Sequence, residues 1–96
     1  MNSLNDAKET ILKNKPILEN KYKVKKIGFF GSMVRGEGTE SSDIDILVEL
    51  REPIGWDFIE LKDYLEEILG REVDLVTIKA LKPQLREIIL NEVVFT

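Results

Sequence analysis

The chain has 96 residues, a formal net charge of -4, 43% hydrophobic and 33% charged residues, the composition of a folded globular protein. One domain spanning 1–96 with one modest core is expected. It contains no cysteine and no histidine, which excludes disulfide frameworks, Cys/His zinc centres and Ser-His-Asp or Cys-His nucleophiles; any metal must rest on oxygen ligands, so Mg²⁺ or Mn²⁺ is the expectation. The acidic balance without a basic stripe argues against direct nucleic-acid binding. The polar opening residues and the lack of a long apolar run argue against a signal peptide or membrane span, so a cytoplasmic location is expected.

Ser3 is placed to cap a first helix, with Asp6 three residues on, and Leu4, Ala7, Ile11 and Leu12 form an apolar stripe at helical spacing. Pro16 breaks or restarts that helix, and Ile17 and Leu18 fit one further turn ending near Asn20. Residues 24–30 read as a first strand ending in Phe29-Phe30. Gly31 ends it, Ser32 is expected to cap a short helix over 33–35, and Gly36 stops that helix. Residues 37–42 read as a polar loop.

Residues 43–50 form the second expected strand. Ile44, Ile46, Val48 and Leu50 alternate against Asp43, Asp45, Leu47 and Glu49, so the two aspartates share a face. Pro53 and Gly55 mark a loop. Residues 57–69 give the clearest helix, with Phe58, Leu61, Leu65, Ile68 and Leu69 on one face and Gly70 as its stop. Residues 73–78 read as a third strand, Pro83 opens a last helix to about Asn91, and Val93-Val94-Phe95 is a short final strand. This succession predicts an α+β (mixed α/β) fold, with a mixed sheet of three to four strands and helices mainly on one face. The face bearing Asp43 and Asp45 is left open as a site.

The polar residues then acquire candidate roles. Gly31-Ser32, where a strand turns into a helix, can offer backbone N–H groups to an anion, or can be only a turn and a cap. Asp43 and Asp45 on one face repel each other unless a cation lies between them; the other reading is a solvated strand entry. Asp74 stands in an apolar strand. It is a third metal ligand suited to a pair of ions about 3.5–4 Å apart, or it lies at a sheet edge, or pairs with Arg71. Arg35 can reach a phosphate or pair with Glu37 or Glu40. Lys25, Lys26 and Lys79 are read as solvated, Phe58 as core, and Trp56 as either core or partner surface.

Phe30-Gly31-Ser32-Met33-Val34-Arg35-Gly36, followed by Ser42-Asp43-Ile44-Asp45-Ile46-Leu47-Val48 and by Val73-Asp74-Leu75-Val76, resembles the minimal nucleotidyltransferases of the DNA polymerase β-type superfamily, the antitoxin partners of HEPN-domain toxins. The resemblance runs over nearly the whole chain. It implies that Gly31 and Ser32, with Arg35 and Ser42, bind the nucleotide, and that Asp43 and Asp45 bind two Mg²⁺ ions. It implies that Asp74 is the third ligand and assists deprotonation of the acceptor. AMP would pass from ATP to a hydroxyl, a tyrosine of a cognate HEPN ribonuclease toxin, with release of pyrophosphate. The acceptor-binding domains of larger relatives have no counterpart in the sequence, so the acceptor half of the site is expected from a partner.

Two other functions share these residues: nucleotidyl transfer to a small molecule such as an aminoglycoside, and non-catalytic occlusion of a toxin. A homodimer is a further expectation, because a small domain with exposed apolar residues gains stability by association.

Overall fold

Ser3 starts the first helix through its own side chain: its Oγ accepts the Asp6 N–H at 3.1 Å, satisfying one of the amides that a helix start leaves without a partner. The computed structural model describes residues 3–38 and 42–96. Its elements are α1 (Leu4–Lys13), α2 (Lys15–Asn20), β1 (Val24–Phe30), α3 (Ser32–Arg35), β2 (Ile44–Leu50), α4 (Asp57–Leu69), β3 (Val73–Thr77), a 3₁₀ turn (Ile78–Ala80), α5 (Pro83–Glu92) and β4 (Val94–Phe95).

The sheet runs in the order β3-β2-β1-β4. β1 pairs antiparallel with β2 and with β4, and β2 pairs parallel with β3. The fold is therefore α+β with a mixed sheet, as expected.

The core occupies one face of this sheet. Ile27 and Phe29 of β1, Ile44, Ile46 and Val48 of β2, and Val73 and Leu75 of β3 meet Ala7 and Ile11 of α1, Leu18 of α2, and Leu61, Leu65 and Leu69 of α4. Each fully buried aliphatic side chain contributes about 1.5–3 kcal/mol. Val24 joins the same core although it lies three residues before Ile27. The register slips between Val24 and Lys26, and the extra residue of a β-bulge turns an odd spacing back to the same face. Tyr22 closes the core from below, 2% exposed, with its hydroxyl donating to Glu60 at 3.2 Å.

Several boundaries differ from the sequence expectations. α3 begins at Ser32, with Gly31 in the capping position, so Ser32 is the first helical residue and not the cap. β2 begins at Ile44, leaving Asp43 just outside it. β3 stops at Thr77, whose Oγ1 accepts the Ala80 N–H at 3.2 Å and tips the chain into the 3₁₀ turn. Leu12 is 56% exposed and lies outside the core stripe, and Trp56 is 86% exposed. Among the described residues no helix is long and apolar enough to cross a membrane.

The other face of the sheet buries Leu47 of β2. β4 joins the sheet at its edge beside β1, and a Cβ at Gly28 would lie 2.8 Å from Val93 Cγ2 and 2.9 Å from Phe95 Cδ1. Only a residue without a side chain admits so close an approach of the neighbouring strand.

Candidate active site

Asp45 and Asp74 are direct partners in the parallel register of β2 and β3. Paired residues on neighbouring strands point to the same face, with backbones about 4.8 Å apart. Asp43 is two residues before Asp45, and the start of β2 is anchored by the Ile44 N–H donating to the Glu72 carbonyl at 2.9 Å. Asp43 and Asp74 are exposed and Asp45 is half-buried. β3 is one of the two edge strands, so Asp74 escapes the cost of burial.

Asp45 feels both burial and its acidic neighbours. Burial pushes the Asp45 carboxyl above its ordinary value; repulsion from Asp74 and then Asp43 adds to this, Arg35 opposes it, and Glu92 adds a further push. A cation among them removes that conflict. Among the described residues no three acidic groups close into a ready-made metal cage. An open arrangement of exposed carboxylates suits Mg²⁺, which usually takes one or two carboxylates and fills its shell with water and substrate phosphates. The oxygen-only donor set, with Asp45 already strained by its neighbours, fits such an ion.

The Gly31 turn is built against this carboxylate. Gly31 has φ 77° and ψ -152°, a conformation essentially confined to glycine. A Cβ there would lie 2.1 Å from Asp45 Oδ2. The bare backbone of Gly31 thus lies directly on Asp45, which a plain turn-and-cap reading does not require.

The Gly31 carbonyl accepts from the Val34 and Arg35 N–H groups at 3.1 and 3.2 Å, forming the single turn of α3. Ser32 and Met33 stand at its head, where helix geometry supplies no intrahelical acceptor for the N–H groups. The Glu37 and Gly38 N–H groups donate back to the Ser32 carbonyl at 2.9 and 3.2 Å, so the following loop wraps around Ser32.

Arg35 takes the pairing anticipated with Glu37, Nε to Oε1 at 2.6 Å, and a second with Glu92, Nη1 to Oε1 at 2.6 Å. Glu40, the other anticipated partner, lies outside the described residues. Both hydrogen bonds raise the Arg35 guanidinium above its ordinary value. Arg71 does not need Asp74 to find a partner: its Nη2 donates to the Ser42 carbonyl, tying the approach to β2 against the start of β3. The sequence reasoning missed Glu92, which also accepts the Gly31 N–H at 3.2 Å. No linear signal marks it, because it lies 61 residues from Gly31.

The mixed sheet thus carries a glycine turn laid on one of three neighbouring carboxylates, and comparison with known proteins gives the class of protein. A nucleotidyltransferase-domain profile matches residues 11–96, and the chain belongs to the nucleotidyltransferase family as an enzyme of its minimal type. The Thermococcus cleftensis protein adenylyltransferase MntA is 44% identical over 99% of this chain and 97% of its own length. A solved structure assigned as a minimal nucleotidyltransferase superposes with a TM-score of 0.77 at 37% identity, covering 95% of this chain and 90% of that one. A toxin–antitoxin complex with AMP-PNP gives a TM-score of 0.74 at 27% identity, over 92% of this chain and 70% of its counterpart.

Proposed function

We propose that this chain transfers AMP from ATP to an acceptor hydroxyl, a tyrosine of a cognate HEPN-domain toxin, and so acts as the antitoxin of a cytoplasmic pair. The observation that carries this reading is the in-register Asp45–Asp74 pair with Gly31 lying on Asp45. The 44% identical relative named as a protein adenylyltransferase and the neighbouring toxin–antitoxin complex with an ATP analogue support it.

Gly31 lets the triphosphate approach its bare backbone, its own N–H being held by Glu92, and Ser32 binds the triphosphate through its backbone N–H and its hydroxyl. Arg35 uses one N–H each for Glu37 and Glu92 among the described residues, and its guanidinium fork has further donors to offer to phosphate oxygens. Ser42, held through its carbonyl by Arg71, flanks the nucleotide from the other end of the loop. Asp43, Asp45 and Asp74 are the ligands for Mg²⁺, with Mn²⁺ as the alternative. When bound, the ions neutralise phosphate charge and orient the α-phosphate. The acceptor oxygen forms a new bond to the α-phosphorus, the α–β bridging P–O bond breaks, and pyrophosphate leaves. Asp74, the most solvent-open of the paired carboxylates, accepts the acceptor proton.

The test is incubation of the chain with labelled ATP, Mg²⁺ and the toxin encoded beside it. Label should appear on a toxin tyrosine with wild type and vanish with Asp43→Asn/Asp45→Asn. Asp74→Asn should lower the transfer rate by about 10²–10⁴-fold, the usual contribution of a positioned base and ligand. Equal toxin neutralisation by wild type and Asp45→Asn would favour occlusion instead, and turnover of an aminoglycoside by the chain alone would favour a small-molecule acceptor. Self-association rests on exposed apolar residues such as Trp56 and Ile88; a monomer mass independent of concentration removes it.

A further inference from the structure

We infer that Glu92 is a positioning residue for nucleotide binding: one carboxylate clamps both ends of the Gly31–Arg35 turn and holds that turn on Asp45. This rests on the nucleotidyl-transfer reading for its functional consequence, though not for its structural one. Oε2 accepts the Gly31 N–H at 3.2 Å and Oε1 accepts Arg35 Nη1 at 2.6 Å. Gly31 is in a backbone region that glycine enters freely, so its hydrogen-bond partners, and not its own preference, fix the turn. Its carbonyl is already committed to α3, and Glu92 supplies the partner on the amide side. Because Gly31 lies against Asp45 Oδ2, a shift of the turn is a shift of the Asp45 carboxylate.

Glu92 can act as a clamp because its own position is fixed. It is the last residue of α5, and the next residues zip onto β1, with Phe29 opposite Val94 and Gly28 opposite Phe95. The Thr96 N–H then donates to the Ile27 carbonyl at 2.9 Å. Gly28 leaves room for this pairing. The Glu92 side chain is 20% exposed while Arg35 is half-exposed, so the clamp rests on the paired geometry of its two oxygens and not on burial of the ion pair. The charge-assisted bond to Arg35 sets the guanidinium's direction.

The test uses the full chain with Glu92→Ala, Glu92→Gln and, as a control on Arg35 alone, Glu37→Gln. In nucleotide-free protein, amide hydrogen exchange at Gly31 should accelerate about tenfold or more in Glu92→Ala, the size of a lost charged hydrogen bond. Exchange at Ile46 and Leu75 should not change. Glu92→Gln retains an acceptor and should recover part of the Gly31 protection, while Glu37→Gln leaves Gly31 exchange as in wild type. In Glu92→Ala the KM for ATP should rise about tenfold or more with a smaller change in kcat. Unchanged Gly31 exchange in Glu92→Ala overturns the clamp, and so does tighter ATP binding by either Glu92 variant, which would make the carboxylate a competitor of phosphate. If wild type neither binds ATP nor transfers AMP, the functional reading falls, and the exchange measurement still decides the clamp.

Discussion

Gly31 and Asp45 occupy one another's space: the carboxylate fills the volume that any side chain at Gly31 would need, with a Cβ placed 2.1 Å from Asp45 Oδ2. Gly31→Ala therefore meets two obstacles, the collision and a positive φ of 77°. A residue forced into such backbone costs about 1–3 kcal/mol. Relief by rotation of Asp45 displaces a proposed metal ligand. Denaturant unfolding should show a loss of that order, and AMP transfer should fall much further than stability does.

Asp45 also links stability to pH. Its carboxyl is raised in the folded state, so between the unfolded and folded values the folded chain binds more protons, and stability falls as pH rises through that window. At neutral pH without divalent ions the charged Asp45 is thus a liability. Asp45→Asn should raise the metal-free melting temperature at pH 7 and flatten its pH dependence just above the ordinary carboxylate range. Added Mg²⁺ should raise the melting temperature of wild type and leave Asp45→Asn unmoved, as expected of a ligand that binds the folded state. A melting temperature lowered by Asp45→Asn would contradict this assignment.

The two aliphatic stripes should separate cleanly in denaturation. Leu65, fully buried between α4 and the sheet, should lose about 2–5 kcal/mol on change to alanine. Leu12, 56% exposed in α1, should change stability by no more than about 0.5 kcal/mol, as surface positions do. Equal losses at both would mean that α1 packs differently.

The local signals were legible because they depend on neighbours in sequence. The span of β1, the whole of α4 and its Gly70 stop, the Ser3 cap and the alternation that puts Asp45 opposite Ile44 and Ile46 all follow from propensity and period. Where a boundary moved, the reason was also local but finer than pattern: the Gly31 turn starts α3 one residue early, and the Thr77 side chain ends β3 one residue early.

What the sequence by itself determined is the local setting of the candidate site residues: Gly31-Ser32 at a strand end, Asp45 on one face of β2 with Asp43 just before that strand, and Asp74 in another strand. Which of these meet was decided by tertiary structure alone. Parallel pairing of β2 with β3 sets Asp74 beside Asp45, and the close packing of Gly31 on Asp45 arises because β1 runs past β2 in a register that places Phe30 opposite Asp45. Glu92 enters only because β4 returns to β1 beside Gly28. The physical reason is that period and propensity act over a few residues, whereas strand register and side-chain contact depend on how distant segments bury a shared core.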